Sequence, residues 1–148
     1  MKVLVTGGAG YIGAHVSDLL EKNGYQVRIF DDFSNGLERR TKSFADIYSG
    51  DITDRQAVLK AMDGVDAVIH LAAKKAVGES VSNPLKYYTN NVGGTMNLLA
   101  AMSLKKVSKI VFSSRLRSIH QVRRMQLQRA IQLSRSRHME PPNFSQSS

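Results

Sequence analysis

The sequence predicts an α/β fold: a doubly wound, mostly parallel sheet that is incomplete after its fifth strand. Three observations carry this expectation. A short apolar run, Val3-Leu4-Val5, leads through a glycine turn into a helical pattern. Strand-like and helix-like segments then alternate, with short connections, as far as residue 114. An acid, Asp31, closes the second strand-like segment, eighteen residues after Gly13, the last glycine of the turn. Parallel strands joined by crossover helices, with a right-handed connection each time, account for all three.

The first element is a strand buried on both faces, since Val3-Leu4-Val5 is apolar without alternation. Glycines follow at Gly7, Gly10 and Gly13, with Gly8 extra. One permits a tight turn, a second lets a pyrophosphate approach the backbone, and a third seats the helix on the strand. The helix start aims unpaired N–H groups and a positive dipole end at that position. The helix is expected from about Tyr11 to Asn23. Its apolar stripe is Ile12, Val16, Leu19 and Leu20, and Gly24 serves as a left-handed cap.

The second strand, Gln26 to Phe30, ends in Asp31-Asp32. In a dinucleotide fold an acid here accepts hydrogen bonds from the adenosine ribose hydroxyls. A carboxylate repels a 2′-phosphate, so Asp31 favours NAD over NADP. Phe33-Ser34-Asn35-Gly36 reads as a turn. A weaker third strand falls around Ile47-Tyr48. Thr53-Asp54-Arg55-Gln56 has the spacing of a capping box, and Ala57, Val58, Ala61 and Met62 then form a helix face that Gly64 ends.

Ala67-Val68-Ile69-His70-Leu71 is the fourth strand, with His70 expected to be packed rather than catalytic. Ala72-Ala73 after it lets a cofactor lie against the backbone. Asn83-Pro84 opens a helix whose apolar stripe is Leu85, Tyr88, Val92, Met96 and Leu99. Gly93-Gly94 within it implies close packing against a neighbour, such as a partner helix. Lys109 to Ser114 supplies the fifth strand.

Composition sets the class. A chain of 148 residues can bury a real core. It has no cysteine, which excludes disulfides and thiolate chemistry. It has no apolar run long enough for a bilayer and no secretory signal pattern, so a cytoplasmic protein is expected, with no membrane partner and no metal site. Residues 1–114 hold 14 Lys and Arg against 11 acids, ten of the 14 being Lys. Residues 115–148 hold seven Arg, no Lys and one acid, Glu140. That shift divides the chain into a dinucleotide-binding domain, 1–114, and a basic tail, 115–148, expected to be disordered.

Residues 1–114 resemble the N-terminal, Rossmann-type NAD-binding part of the UDP-glucose 4-epimerases, in the extended short-chain dehydrogenase/reductase family. The resemblance rests on Val5 to Gly13, on Asp31 to Gly36, on Gly50-Asp51-Ile52, on His70 to Ser80 and on Tyr87 to Thr95. Lys75-Ala76-Val77-Gly78-Glu79-Ser80 and the Tyr-Tyr-x-Asn-Asn-Val run are far more specific than the glycines. The resemblance implies NAD as cofactor, a UDP-hexose as substrate and a family-type homodimer. It places Tyr11 and Ile12 by the pyrophosphate, Asp31 to Gly36 on the adenosine ribose, and Asp51 and Ile52 by the adenine. Leu71, Ala72, Ala73 and Lys75 line the cofactor, with Lys75 near the nicotinamide ribose, and Asn90 hydrogen-bonds nearby.

The family's reaction passes through a 4-keto sugar, with a tyrosine as base and a lysine four residues on lowering its pKa. No Tyr-x-x-x-Lys occurs in this sequence. The family's third Ser or Thr after Phe-Ser-Ser is Arg115 here. No catalytic residue is therefore assigned, and the chain is expected to be an inactive cofactor-binding half. The tail has the composition of an out-of-frame reading; an evolved basic segment is the alternative. It would suit a module that binds NAD or nucleic acid, although it carries one aromatic, Phe144, and no recognisable nucleic-acid motif.

Overall fold

The computed structural model describes residues 1–36, 40–41, 43–44, 46–74 and 83–113. Expectations for Lys75, Ser114 and residues 115–148 fall outside them. The elements are β1 (Lys2–Thr6), α1 (Tyr11–Lys22), β2 (Gln26–Asp31), β3 (Asp46–Ser49), α2 (Arg55–Ala61) and β4 (Ala67–His70). After them come α3 (Pro84–Tyr88), a π-helical turn (Thr89–Gly93), α4 (Gly94–Leu104) and β5 (Lys109–Phe112). The strands form one parallel sheet in the order β3-β2-β1-β4-β5. The chain moves outward from β1 to β2 and β3, then returns to β4 on the other side. The direction of winding reverses between β1 and β4, which is where doubly wound sheets hold ligands.

Successive side chains of a strand point to opposite faces, and two apolar cores result. Leu4, Phe30 and Val68 point one way and pack with Val58 and Met62 at α2 and Leu98 and Met102 of α4. Val3, Val5, Val27 and Ile29 point the other way, toward Leu20 of α1. An ion-pair cluster crosses the opposite end of the sheet. Asp46 of β3 receives hydrogen bonds from Lys2 Nζ (2.8 Å) and Arg28 Nε (2.9 Å). Partial burial opposes its ionisation, but these two cations outweigh burial and hold its carboxyl below 3.8.

Three sequence expectations need correction. The stripe expected on α1 is only half inside: Val16 and Leu20 are partly buried, while Ile12 and Leu19 are exposed. Gly13 and Ser17 are the buried positions. The helix backbone sits so close to the turn that small residues take the contact and larger ones are pushed aside. The capping box is not formed, because Asp54 caps α2, accepting from the N–H groups of Gln56 (2.9 Å) and Ala57 (3.1 Å). Thr53 instead donates to Asp51 Oδ1 through both its N–H and its hydroxyl, each at 2.8 Å.

The largest correction concerns the helix after Asn83. Asn83 and Pro84 do start it. However, the stripe of Leu85, Tyr88, Val92, Met96 and Leu99 is exposed along its length. The buried face is Tyr87, Asn90, Gly94, Leu98 and Ala101, also at steps of three and four. Both faces are apolar, so periodicity alone does not choose between them. Close approach chooses: a Cβ on Gly94 would lie 2.5 Å from Cγ2 of Ile52, whereas one on Gly93 would meet nothing. The close neighbour of Gly94 is thus Ile52, not a partner helix.

Candidate dinucleotide-binding site

The glycine turn joins β1 to α1 at the carboxyl edge of the sheet. Gly7 donates its N–H to the carbonyl of Phe30 (2.8 Å) and adopts a φ of +72°. A side chain there would also strike the backbone of Ala72, whose nitrogen would lie 2.7 Å from its Cβ. A Cβ on Gly13 would lie 2.1 Å from the Gly7 carbonyl oxygen, so the first turn of α1 rests directly on the glycine turn. The Gly10 end of α1 has no side-chain cap and no acid in its first turn. Its positive dipole end is left for an anion.

Asp31 ends β2 beside this turn and is buried. Ala9 N–H donates to its Oδ2 (2.9 Å) and Phe33 N–H to its Oδ1 (2.8 Å). Each carboxylate oxygen keeps a second lone pair that a ribose hydroxyl could use. The bond to Phe33 also holds that residue at a φ of +58°, a strained value for a side chain with a Cβ. Asp32 is exposed and accepts from Ser34 N–H (3.0 Å) and Ser34 Oγ (2.7 Å), so it shapes the turn through Ser34, Asn35 and Gly36. Gly36 packs on Ala9, which folds this turn over the glycine turn.

Tyr11 and Ile12 are exposed at the start of α1. Tyr11 packs against the His15 ring, tilted by 48° to it, and lies under the Arg40 guanidinium, 5.8 Å from the ring centroid. Asp51 is exposed after β3, and the hydrogen bond from Thr53 N–H chiefly lowers its pKa, with the Lys74 charge assisting. Ile52 belongs to the core, its side chain packed at Gly94, and its carbonyl accepts from Asn97 Nδ2 (3.3 Å). Beyond β4, Leu71 and Ala72 are partly buried and Ala73 is exposed.

The segment after β4 is held by polar side chains, of which Thr6, Asn91 and Thr95 were not singled out in the sequence. Thr6 Oγ1 lies 2.7 Å from His70 Nδ1, and His70 Nε2 lies 3.0 Å from Thr95 Oγ1. Thr95 Oγ1 donates to the Asn91 carbonyl (2.6 Å). That donation requires His70 to donate from Nε2, and in the neutral ring Nδ1 then accepts from the Thr6 hydroxyl. Burial pushes the imidazole pKa below 6.5, consistent with this neutral tautomer. His70 is therefore a packed structural residue, as the sequence implies. Asn90 is buried in the π-helical turn and donates to Asn91 Oδ1 (3.0 Å).

A scan against protein families matches residues 3–115 to the NAD dependent epimerase/dehydratase family. The chain belongs to this family. Among epimerase-family relatives, the UDP-glucose 4-epimerase of Bacillus subtilis (strain 168) is 46% identical over 123 residues, 77% of this chain and 36% of that protein. One named UDP-glucose 4-epimerase from Klebsiella pneumoniae is 43% identical over 123 residues, with 88% of its own length covered. Solved epimerase structures agree. The Brucella ovis UDP-glucose 4-epimerase in complex with NAD superposes with a TM-score of 0.72 at 44% identity, covering 76% of this chain and 35% of that one. The Bifidobacterium longum UDP-glucose 4-epimerase with NAD+ and UDP gives 0.71 at 32%, covering 90% and 50%. This chain spans about a third of the length of the Bacillus subtilis relative.

Proposed function

We propose that residues 1–114 are the cofactor-binding half of a UDP-hexose 4-epimerase and bind NAD. Asp31 is the observation that carries the proposal: a buried carboxylate, fixed by two backbone N–H groups beside an uncapped helix start. The pyrophosphate suits the turn from Gly7 to Gly13, with Tyr11 and Ile12 flanking it. The adenosine suits Asp31 to Gly36 and Asp51. The other half of the dinucleotide suits Leu71, Ala72, Ala73 and Asn90, with Lys75 assigned by resemblance. The redox chemistry is the cofactor's, a reversible hydride transfer. This chain's residues bind and orient.

The catalytic tyrosine and lysine of the family have no counterpart in the 148 residues. The proposal therefore assigns this chain cofactor binding and no turnover of its own. The exposed stripe from Leu85 to Leu99 supports pairing with a second copy, as the resemblance implies. A cytoplasmic setting is part of this reading; separately, no helix among the described residues is long and apolar enough to cross a membrane. Calorimetric titration of the chain with NAD and NADP tests the assignment. NAD should bind and NADP bind at least about tenfold more weakly, since a 2′-phosphate would face Asp31. Equal affinity for the two would refute it.

A further inference from the structure

The polar side chains beneath the β4 end form a closed circuit whose two ends grip the same short segment. At one end Ala72 N–H reaches Thr6 Oγ1 at 3.4 Å. From Thr6 the bonds run through His70 and Thr95 to the carbonyl of Asn91. At the other end the Asn91 side chain returns to the segment. Its Oδ1 accepts from Lys74 N–H (2.8 Å), and its Nδ2 donates to the Lys74 carbonyl (3.2 Å). An amide that pairs with both main-chain groups of one residue does what a neighbouring strand does. It does so where β4 has run past its ladder partners, which end at His70. Asn90 Nδ2 donates to the same Oδ1, which fixes the amide's orientation. A π-helical turn, with its extra residue, presents both asparagines here.

We infer that Asn91 is a positioning residue: it clamps Lys74, and so holds the segment from Leu71 to Lys74 in shape for the half of the dinucleotide that Asp31 does not bind. The inference rests on the proposed NAD site. The geometry divides that site. Asp31 lies at the end of β2, on one side of β1, and the clamped segment at the end of β4, on the other. The glycine turn stands between them. A dinucleotide laid across the edge with its adenosine at Asp31 must place its other half over residues 71–74. A segment held in advance spares the ligand the entropy of ordering it.

The test compares the full chain with Asn91→Ala and Asn91→Asp. The aspartate keeps an acceptor for Lys74 N–H but sets a second oxygen against the Lys74 carbonyl. Two readouts are taken. Amide hydrogen exchange should show the Lys74 N–H protected in the unchanged chain and unprotected in Asn91→Ala, while Leu4 and Val68 in the core keep their protection. Calorimetry with NAD and with ADP, which carries only the adenosine half, should separate the ligands. Both variants should bind NAD about tenfold more weakly and ADP within about twofold of the unchanged chain. General loosening of the fold would weaken both ligands alike, and that result, or no change in either, overturns the inference. An unchanged chain that binds neither ligand removes the NAD assignment, and the positioning role with it. Hydrogen exchange then still reports, separately, whether the clamp exists.

Discussion

At the scale of single residues, the site is built on contacts that leave little freedom to substitute. Gly13→Ala would drive a methyl group into the Gly7 carbonyl and should cost more than about 3 kcal/mol or prevent folding, as judged by urea denaturation. Gly24 also has a positive φ, +81°, but open space around it, so Gly24→Ala should cost only about 1 kcal/mol. Similar losses from the two would show that the turn is not as tight as described. Asp31→Ala strands two N–H groups as well as removing the ribose acceptor. It should lower stability by about 1–3 kcal/mol and narrow the preference for NAD over NADP. His70 adds a pH dependence. Its folded pKa lies below 6.5, so the unfolded chain takes up the proton first as pH falls. Its contribution is complete above the unfolded value and is lost as pH drops from there toward the folded one. Asp46 and Asp51 have pKa values below 3.8 and leave that window to the histidine. Urea midpoints should fall between pH 7.5 and 5.5, and the fall should be smaller in His70→Leu. Parallel slopes in the two proteins would contradict the neutral tautomer.

At the scale of elements, the two adjacent glycines of the long helix behave oppositely. Gly93→Ala meets no atom and should stabilise by about 0.5–1 kcal/mol, while Gly94→Ala must displace Ile52 and should destabilise. Thermal melts of the pair decide the matter, and equal shifts would mean that close approach to Ile52 does not select this helix face. Much of the architecture was legible in the sequence. The strands, the glycine turn, the acid after β2 and the start at Asn83-Pro84 each depend on a local pattern with one physical use. What escaped depends on partners distant in sequence. Two apolar faces ran along the same helix, and only Ile52, more than forty residues earlier, chooses between them. Thr53 and Asp54 could each begin α2, and the choice fell to Asp54 once Asp51 had engaged Thr53. Asn91 was hidden because its partner is main chain, which no side-chain pattern records.

At the scale of the molecule, β3 and β5 are the two edges of the sheet, and β5 is the more exposed of them. Each residue of β5 is exposed, Val111 at 62% and Phe112 at 55%, and its outer edge has no partner strand among the described residues. An open parallel edge with apolar side chains invites pairing with other chains. The 148-residue chain should sediment as mixed oligomers and unfold below about 60 °C. A monodisperse species with a sharper, higher transition would show that the edge is covered. Activity is the other molecular expectation. With NAD and UDP-glucose supplied, the chain should form no UDP-galactose above a no-enzyme control, because it has no Tyr-x-x-x-Lys.

The strand order also sets a timetable. β1 lies at the centre of the sheet, yet it is synthesised before either neighbour. Its pairing with β2 becomes possible after about thirty residues, but its pairing with β4 waits until His70. Between those moments the nascent chain carries the two apolar faces of β1 and β2 with α1 and, once residue 61 is made, α2 to cover them, but without the Leu98 and Met102 that complete one core. During that interval the glycine turn can form on the β2 side, through Gly7 and Phe30, but its Ala72 wall does not yet exist. Ribosome-bound chains carrying residue 62 beyond the exit tunnel should therefore be cleaved readily by protease within β1. Chains carrying residue 113 beyond the exit tunnel should resist it there.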